Sequence, residues 1–264
     1  MEYINTEKIE KIQLKSNNFY VAIDFDRTIT SEKGADSWDA VGNKLGKDFY
    51  KKINELYKKY RPIEVDYKIP FEEKKRAMER WYHECMELYY EYHLTKEKLE
   101  KSIATSNLIF RKGAKEFFKN MNKNDIPVII LSAGIGNVIE QFLKENNCYF
   151  RNIFIISNFI EFDIYGKMKK FNKKIIHTLN KNMKGHLPNN WEEKLKERQY
   201  RLLLGDAIED KKMVEEAKLS NTITVGFLND NIEENLEIYK KNFDILLTKE
   251  EATFDVVNKL LFWK

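Results

Sequence analysis

The segment Asp24-Phe25-Asp26-Arg27-Thr28 places two carboxylates at i and i+2, directly after the apolar run Phe19-Tyr-Val-Ala-Ile23. On an extended chain such a pair points to one side. At the carboxyl end of a buried strand it sits in the crevice where open α/β sheets bind ligands. Two like charges this close are unfavourable unless a cation or a proton joins them. Mg²⁺ is hard, octahedral and oxygen-seeking, and is the natural guest. An exposed acidic turn would carry the same letters, so the pair needs company before it reads as a site.

Three further segments offer that company. Gly205-Asp206-Ala207-Ile208-Glu209-Asp210 follows the apolar run Leu202 to Leu204, so Asp206 stands at a strand end as Asp24 does. Asp210, four residues on, faces the same cavity from the next turn. Both acids could equally begin a helix, where the dipole favours them. Leu131-Ser132-Ala133-Gly134-Ile135-Gly136-Asn137 closes another apolar run. A hydroxyl, small residues and a helix start can hold a phosphate on backbone N–H groups, with Asn137 as the cap. The same loop could serve only as a connector. A phosphate site also needs a cation. Lys181 is a candidate among many lysines, any of which could be a solvated surface residue.

The elements that must position these groups are uneven along the chain. Strand-like runs at 19–23, 126–131, 153–156, 202–204, 223–225 and 243–247 are short and almost wholly apolar, as in a parallel sheet covered on both faces. Helical stripes lie between the later ones: Ala114, Phe117, Phe118 and Met121; Ile139, Phe142 and Leu143; Met213, Val214 and Ala217. The pattern predicts an α/β, doubly wound, mostly parallel sheet. From about Ala35 to about Asn107 no strand run occurs. Helices are expected over 39–60, 71–93 and 95–106, with Pro62 and Pro70 bracketing the first break. Inserted after the first strand, this block reads as a helical cap, giving a core of 1–34 and 108–264 and a cap of 35–107. Residues 159–171 alternate around a Gly and predict a small β-hairpin. Residues 180–200 read as a loop and a surface helix.

Composition removes several classes. The 264 residues carry 46 Lys+Arg against 42 Asp+Glu, a net charge of +4, with the basic residues spread out rather than gathered in a stripe; no nucleic-acid polymer is expected as partner. Cys85 and Cys148 are the only cysteines, too few for a disulfide scaffold or a cysteine zinc site. No apolar run approaches membrane-spanning length and the first residues show no signal core, so a cytoplasmic protein without a membrane partner is expected.

In this order, Asp-x-Asp-x-Thr, a strand-end Ser and Gly-Asp-x-x-x-Asp resemble the haloacid dehalogenase-like phosphohydrolases. Arg61-Pro-Ile-Glu-Val-Asp66, Ser132-Ala-Gly-Ile-Gly136, Ile156-Ser-Asn-Phe-Ile-Glu-Phe-Asp163, Gly226-Phe-Leu-Asn-Asp230 and Phe243-Asp-Ile-Leu-Leu247 are similar to the cytosolic 5′-nucleotidase III family, the pyrimidine 5′-nucleotidases. The likeness extends from Phe19 onward. It implies Asp24 as nucleophile and Asp26 as general acid/base. Ser132 and Ala133 would bind phosphate with Lys181. Mg²⁺ would be held by the Asp24 side chain, the Asp26 backbone carbonyl and Asp206, with Asp210 as supporting acid. Glu64 would read the nucleoside. The chain departs from the family at Ala207, Glu209 and Asn137, none of which removes a needed charge. It also departs across Glu32 to Ala40, which borders the implied substrate pocket, and near Cys85.

The expected function is therefore Mg²⁺-dependent hydrolysis of nucleoside 5′-monophosphates, pyrimidines foremost, through an aspartyl-phosphate, by a monomer. A methylated purine monophosphate is the rival substrate. Another small phosphomonoester, or non-catalytic nucleotide binding, are the alternatives. Trp81 and Tyr82, and Trp38 in the divergent segment, could stack on a base. Trp81 and Tyr82 could equally pack cap helices together, and Glu64 could be a solvated acid.

Overall fold

The computed structural model describes residues 3–42, 44–66, 68–171, 174–248 and 252–262. The outer ends of the expected core, at 1 and 264, lie outside the described residues. A seven-stranded sheet is ordered β1-β7-β6-β5-β2-β3-β4. Its strands are β1 (Tyr3–Ile4), β2 (Phe19–Ile23), β3 (Val128–Ile135), β4 (Ile153–Asn158), β5 (Tyr200–Gly205), β6 (Thr222–Leu228) and β7 (Ile245–Thr248). All neighbours are parallel except β1, which pairs antiparallel with β7. β2, β3, β6 and β7 are buried at every residue and β5 at all but its first, Tyr200, which explains their largely apolar sequences. β1 is two residues long and at an edge, too short to leave a periodic signal.

Among the described residues the α-helices are α1 (Thr6–Lys11), α2 (Asp39–Gly42), α3 (Lys47–Val65), α4 (Phe71–Glu91), α5 (Lys96–Ala104), α6 (Ala114–Lys123), α7 (Gly136–Glu145), α8 (Asn189–Lys196), α9 (Ile232–Asn242) and α10 (Phe254–Phe262). Phe117, Phe118 and Met121 on α6 and Ile139, Phe142 and Leu143 on α7 pack with Val21, Ile23, Val128 and Ile130 of the sheet. Tyr20, Ala22, Ile129, Leu131 and Leu203 form the core on the other face. Helices α2 to α5 all fall between β2 and β3, and no strand among the described residues interrupts them.

Several expectations change in detail. The helix over 39–60 is two, α2 and α3, and α3 runs on through Pro62. The bond that Pro62 cannot make would go to the carbonyl of Lys58, an exposed residue, where water can take it. The break instead follows Val65. The stripe Met213, Val214 and Ala217 forms two 3₁₀ turns, Ile208–Met213 and Glu216–Asn221, rather than an α-helix. Met213 and Val214 are buried and adjacent while Ala217 is exposed, so no helical face forms there. The hairpin over 159–171 reduces to one bridge, Phe162 to Met168, around a turn where Gly166 has φ 74°. Asn137 does not cap α7. Its side chain accepts from Ile160 N–H at 2.8 Å and donates to Ile160 O at 3.1 Å, clamping β3's exit to the segment after β4.

Candidate active site

β2 is the strand at which the winding reverses: β3 and β4 extend from one side, and β5, β6 and β7 from the other. Such a switch point opens a crevice at the carboxyl ends of the strands. Asp24 follows β2, Asp206 follows β5 and Ser132 lies in the second half of β3, so three neighbouring strands deliver the groups found in sequence. They line one pocket of about 790 Å³ with Asp26, Lys181 and Asp210.

The floor of that pocket is a network of buried charge. Lys181 Nζ donates to Asp24 Oδ1 at 2.5 Å and to Asp210 Oδ1 at 2.9 Å. The other Asp210 oxygen accepts the backbone N–H groups of Asp206 and Ala207, each at 3.1 Å. Asp210 is therefore satisfied on both sides and holds the Asp206 turn in place. Asp210 lies in the first turn of the 3₁₀ segment Ile208–Met213 and Asp206 just ahead of it, and both line the pocket. Burial opposes the Lys181 charge, but Asp210 and Asp24 outweigh it and hold the ammonium well above its ordinary range. Burial raises Asp24 to about 6, against the pull of Lys181.

Among the described residues Asp206 makes no salt bridge, and the more distant charges of Lys181 and Arg27 only partly offset its burial. Loss of solvation, with Asp24 and Asp210 nearby, pushes it up to about 8. Carboxylate oxygens of Asp24, Asp206 and Asp210 all lie within 4.8 Å of one another. An under-compensated oxygen cluster of this kind fits a hard divalent cation. The Asp26 carboxylate is not in the cluster. It turns to Ser37, accepting from the backbone N–H at 2.7 Å and from the hydroxyl at 2.5 Å. Burial, then the neighbouring Asp36 carboxylate, raise Asp26 well above the usual range, and the bonds from Ser37 only partly offset this.

Residues not singled out from sequence complete the frame. Asn158, buried on β4, donates to Ala133 O at 2.9 Å and to Ile176 O at 2.8 Å, and accepts from Ile176 N–H at 2.9 Å. Asn180 accepts from His177 N–H and donates to Ile175 O, at 2.7 and 2.8 Å. Together they bind the segment that carries Lys181 to the Ser132 loop. Asn229 donates to Arg27 O at 3.0 Å and approaches Asp206 Oδ2 at 3.4 Å. Buried Arg111 donates to Asn229 Oδ1 at 2.9 Å and to Thr28 O at 3.0 Å, tying the two acidic loops together. Asn158 and Asn229 could have been noticed in sequence, each as part of a matching segment, while Asn180 and Arg111 could not.

The pocket's roof comes from α2, α3 and α4 and the loop before them. Glu64, Trp38, Trp81 and Tyr82 all line it. Trp38 meets Tyr82 edge-on at 5.0 Å and stacks on Tyr89 at 6.1 Å. Trp81 lies nearly parallel to Tyr60, 5.9 Å away, and Tyr82 is buried. Both make helix-packing contacts while bordering the pocket. Glu64 pairs with Arg61 and accepts from Thr178 Oγ1 at 3.1 Å, so it is a bound residue and not a solvated acid. The side chain of Val65, beside it, lies outside the described residues. Cys85 also borders the pocket; burial pushes its thiol up to about 12, so it stands there as a neutral group.

Comparison with known proteins gives this frame a family. The family model described as pyrimidine 5′-nucleotidase (UMPH-1) matches residues 28–263. The chain belongs to that family. It is 33% identical over 249 residues to the 7-methylguanosine phosphate-specific 5′-nucleotidase of Mus musculus, covering 91% of this chain and 83% of that one. It is 31% identical over 223 residues to a putative cytosolic 5′-nucleotidase 3 of Caenorhabditis elegans, covering 83% and 59%. The solved structure of cytosolic 5′-nucleotidase IIIB bound to cytidine superposes with a TM-score of 0.82 at 29% identity, covering 97% of this chain and 89% of that one. A phospho-aspartyl intermediate analogue of phosphoserine phosphatase, 18% identical with TM-score 0.59, shares the fold. The haloacid dehalogenase-like fold and the 5′-nucleotidase family, hydrolases of phosphate monoesters, thus stand as expected.

Proposed function

We propose that this chain is a Mg²⁺-dependent 5′-nucleotidase that converts nucleoside 5′-monophosphates to nucleoside and phosphate through an aspartyl-phosphate on Asp24. The observation that carries the reading is the floor of the pocket. One lysine bridges two buried carboxylates there, and a third, Asp206, makes no salt bridge among the described residues. The helical block 35–107 serves as the cap over the core. In the first step an Asp24 oxygen bonds to phosphorus as the bond to the 5′-oxygen breaks, and the Asp26 proton goes to that leaving oxygen. In the second step Asp26 takes a proton from water, whose oxygen displaces Asp24 from phosphorus. Lys181, Ser132 and the backbone at Ala133 hold the phosphoryl oxygens. Asp24, the Asp26 carbonyl and Asp206 would hold Mg²⁺, which neutralises phosphoryl charge when bound. Cap closure keeps bulk water from the reaction. No helix among the described residues is long and apolar enough to cross a membrane. A monomer in the cytoplasm remains part of the proposal, supported by a relative named as cytosolic.

Pyrimidine monophosphates fit the family's name, and Glu64 offers acceptors to an exocyclic amino group or a ring N–H. A second reading of the base has its own observation. Asp36, Asp39 and Glu64 border the pocket together with Trp38. Carboxylates around an indole face favour a cationic base, and N7-methylguanine is one. The mouse relative is named for that nucleotide. The test is phosphate release from UMP, CMP, AMP, GMP and 7-methylguanosine 5′-monophosphate. Chelation should abolish it and Mg²⁺ should restore it, with Ca²⁺ a poor substitute. Full activity in excess chelator would reject the metal, and no release from any nucleotide would reject the function.

A further inference from the structure

Ser37 lies in the segment that joins the sheet to the helical block, and its side chain is wholly buried. It reaches the Asp26 carboxyl group twice. Its backbone N–H donates to Oδ1 at 2.7 Å and its hydroxyl meets Oδ2 at 2.5 Å. One bond would leave the carboxyl plane able to rotate. Two bonds from one residue, one to each oxygen, fix it. The hydroxyl is itself anchored, because its oxygen accepts the N–H of Ile135 at the end of β3, at 3.3 Å. Asp26 is thus tied through Ser37 to the strand that carries Ser132.

Gly134 makes room for this arrangement. A Cβ there would stand 1.9 Å from Ser37 Oγ and 2.7 Å from Asp26 Oδ2. The glycine serves the acid's support as well as any phosphate loop. A hydroxyl also suits a group that must give up and regain a proton, since it can donate to a carboxylate and accept from a carboxylic acid. A backbone N–H can only donate. The residue after Ser37 is Trp38, which borders the nucleoside end of the pocket.

From this geometry we infer that Ser37 is the positioning residue for the general acid, holding the Asp26 carboxyl in line with the leaving 5′-oxygen. The inference rests on the proposed function above. In the step concerned, the bond from phosphorus to the 5′-oxygen breaks, the Asp24 oxygen bonds to phosphorus, and the Asp26 proton moves to the departing alkoxide. A nucleoside is a poor leaving group and needs that proton. p-Nitrophenolate leaves without it. The ratio kcat/KM reports events up to leaving-group departure and excludes the later hydrolysis of the aspartyl-phosphate.

The test compares kcat/KM for the nucleotide that the wild type turns over best with that for p-nitrophenyl phosphate. The variants are Ser37→Ala, Ser37→Thr and Ser37→Val. General acids are worth roughly a hundredfold or more, and misaligning one should forfeit part of that. Ser37→Ala should lose about tenfold or more with the nucleotide, yet stay within about threefold with the aryl phosphate. Thr keeps the hydroxyl and Val matches its shape without it, so Thr should outperform Val on the nucleotide alone. That pair carries the test if Ser37→Ala folds poorly. Equal losses on both substrates, or equal behaviour of Thr and Val, would overturn the inference while leaving the proposed function standing. A wild type inactive on both substrates would overturn the proposed function, and this inference with it.

Discussion

The two ends of the pocket are built by different means. At the phosphate end, Asp24 and Asp206 follow strand ends, Asp210 lies in the turn after β5 and Lys181 in an irregular segment, and short bonds to backbone or to an opposite charge hold the network together. Lys181 between Asp24 and Asp210, and Asp210 on the N–H groups of Asp206 and Ala207, leave little freedom. At the nucleoside end, Trp38, Trp81 and Tyr82 come from helices and a loop, and are held by ring packing. Packing tolerates substitution better than a buried charge network does. The phosphate end is therefore the more sensitive of the two to substitution.

The contrast predicts unequal consequences. Asp24→Asn should lower kcat by a thousandfold or more, equivalent to about 4 kcal/mol of barrier, while circular dichroism shows the fold intact. Near-wild-type turnover would remove the nucleophile from the account. Lys181→Met should abolish turnover and also destabilise the protein by about 3–5 kcal/mol, because two buried carboxylates lose their partner. Denaturant unfolding at neutral pH reads this directly, and an unchanged midpoint would mean the network is not structural.

Changes at the nucleoside end should act on KM. Trp38→Ala should raise KM for nucleotides by about tenfold or more, in line with stacking worth about 1–3 kcal/mol. Glu64→Ala should do the same and leave hydrolysis of p-nitrophenyl phosphate nearly unchanged. If kcat/KM falls equally for every nucleotide and for the aryl phosphate, then Glu64 serves only Arg61 and Thr178, and the base-reading role is wrong.

The smallest effect sits at the seam between the two ends. His177 is fully buried below Tyr82, and burial lowers it to about 4 from an ordinary 6.5. Its Nδ1 accepts the Leu179 N–H at 3.2 Å, and its Nε2 has no hydrogen-bond partner among the described residues, the Glu79 carboxylate standing 4.0 Å away. The unfolded chain takes up this proton near pH 6.5 and the folded one only near 4. The unfolded state thus binds more protons between those values, and stability falls as pH falls through that window. His177→Asn keeps an acceptor for Leu179 and should show a shallower loss of Tm between pH 6.5 and 5. Parallel slopes for the two proteins would assign the acid sensitivity elsewhere.

Much of the phosphate end was legible because strand ends have a simple grammar. An apolar run followed by Asp, or by Ser and small residues, reads directly as β2 with Asp24, β5 with Asp206 and β3 with Ser132. Lys181 was reachable only through family resemblance, because its segment has no regular structure and is shaped by Asn158 and Asn180 from a distance in sequence. Ser37 left no signal, since its role depends on Gly134 giving way about a hundred residues later, and loop-to-loop contacts have no period. Pro62 misled because a proline near the end of a helix costs little where its orphaned carbonyl faces water. In helices α2 to α5, the helical period marks which aromatics are apolar but not which of them border the pocket. Trp81 and Tyr82 therefore read alike whether they stack on a base or on a neighbouring helix.

The central claim is that Asp24 carries the phosphoryl group. Enzyme mixed with nucleotide radiolabelled in its phosphate, in the presence of Mg²⁺, and quenched in acid within a turnover tests it most directly. The account predicts acid-stable label on the peptide that contains Asp24, lost on mild base treatment and missing from Asp24→Asn. Phosphate release at the wild-type rate with no label on that peptide would contradict it.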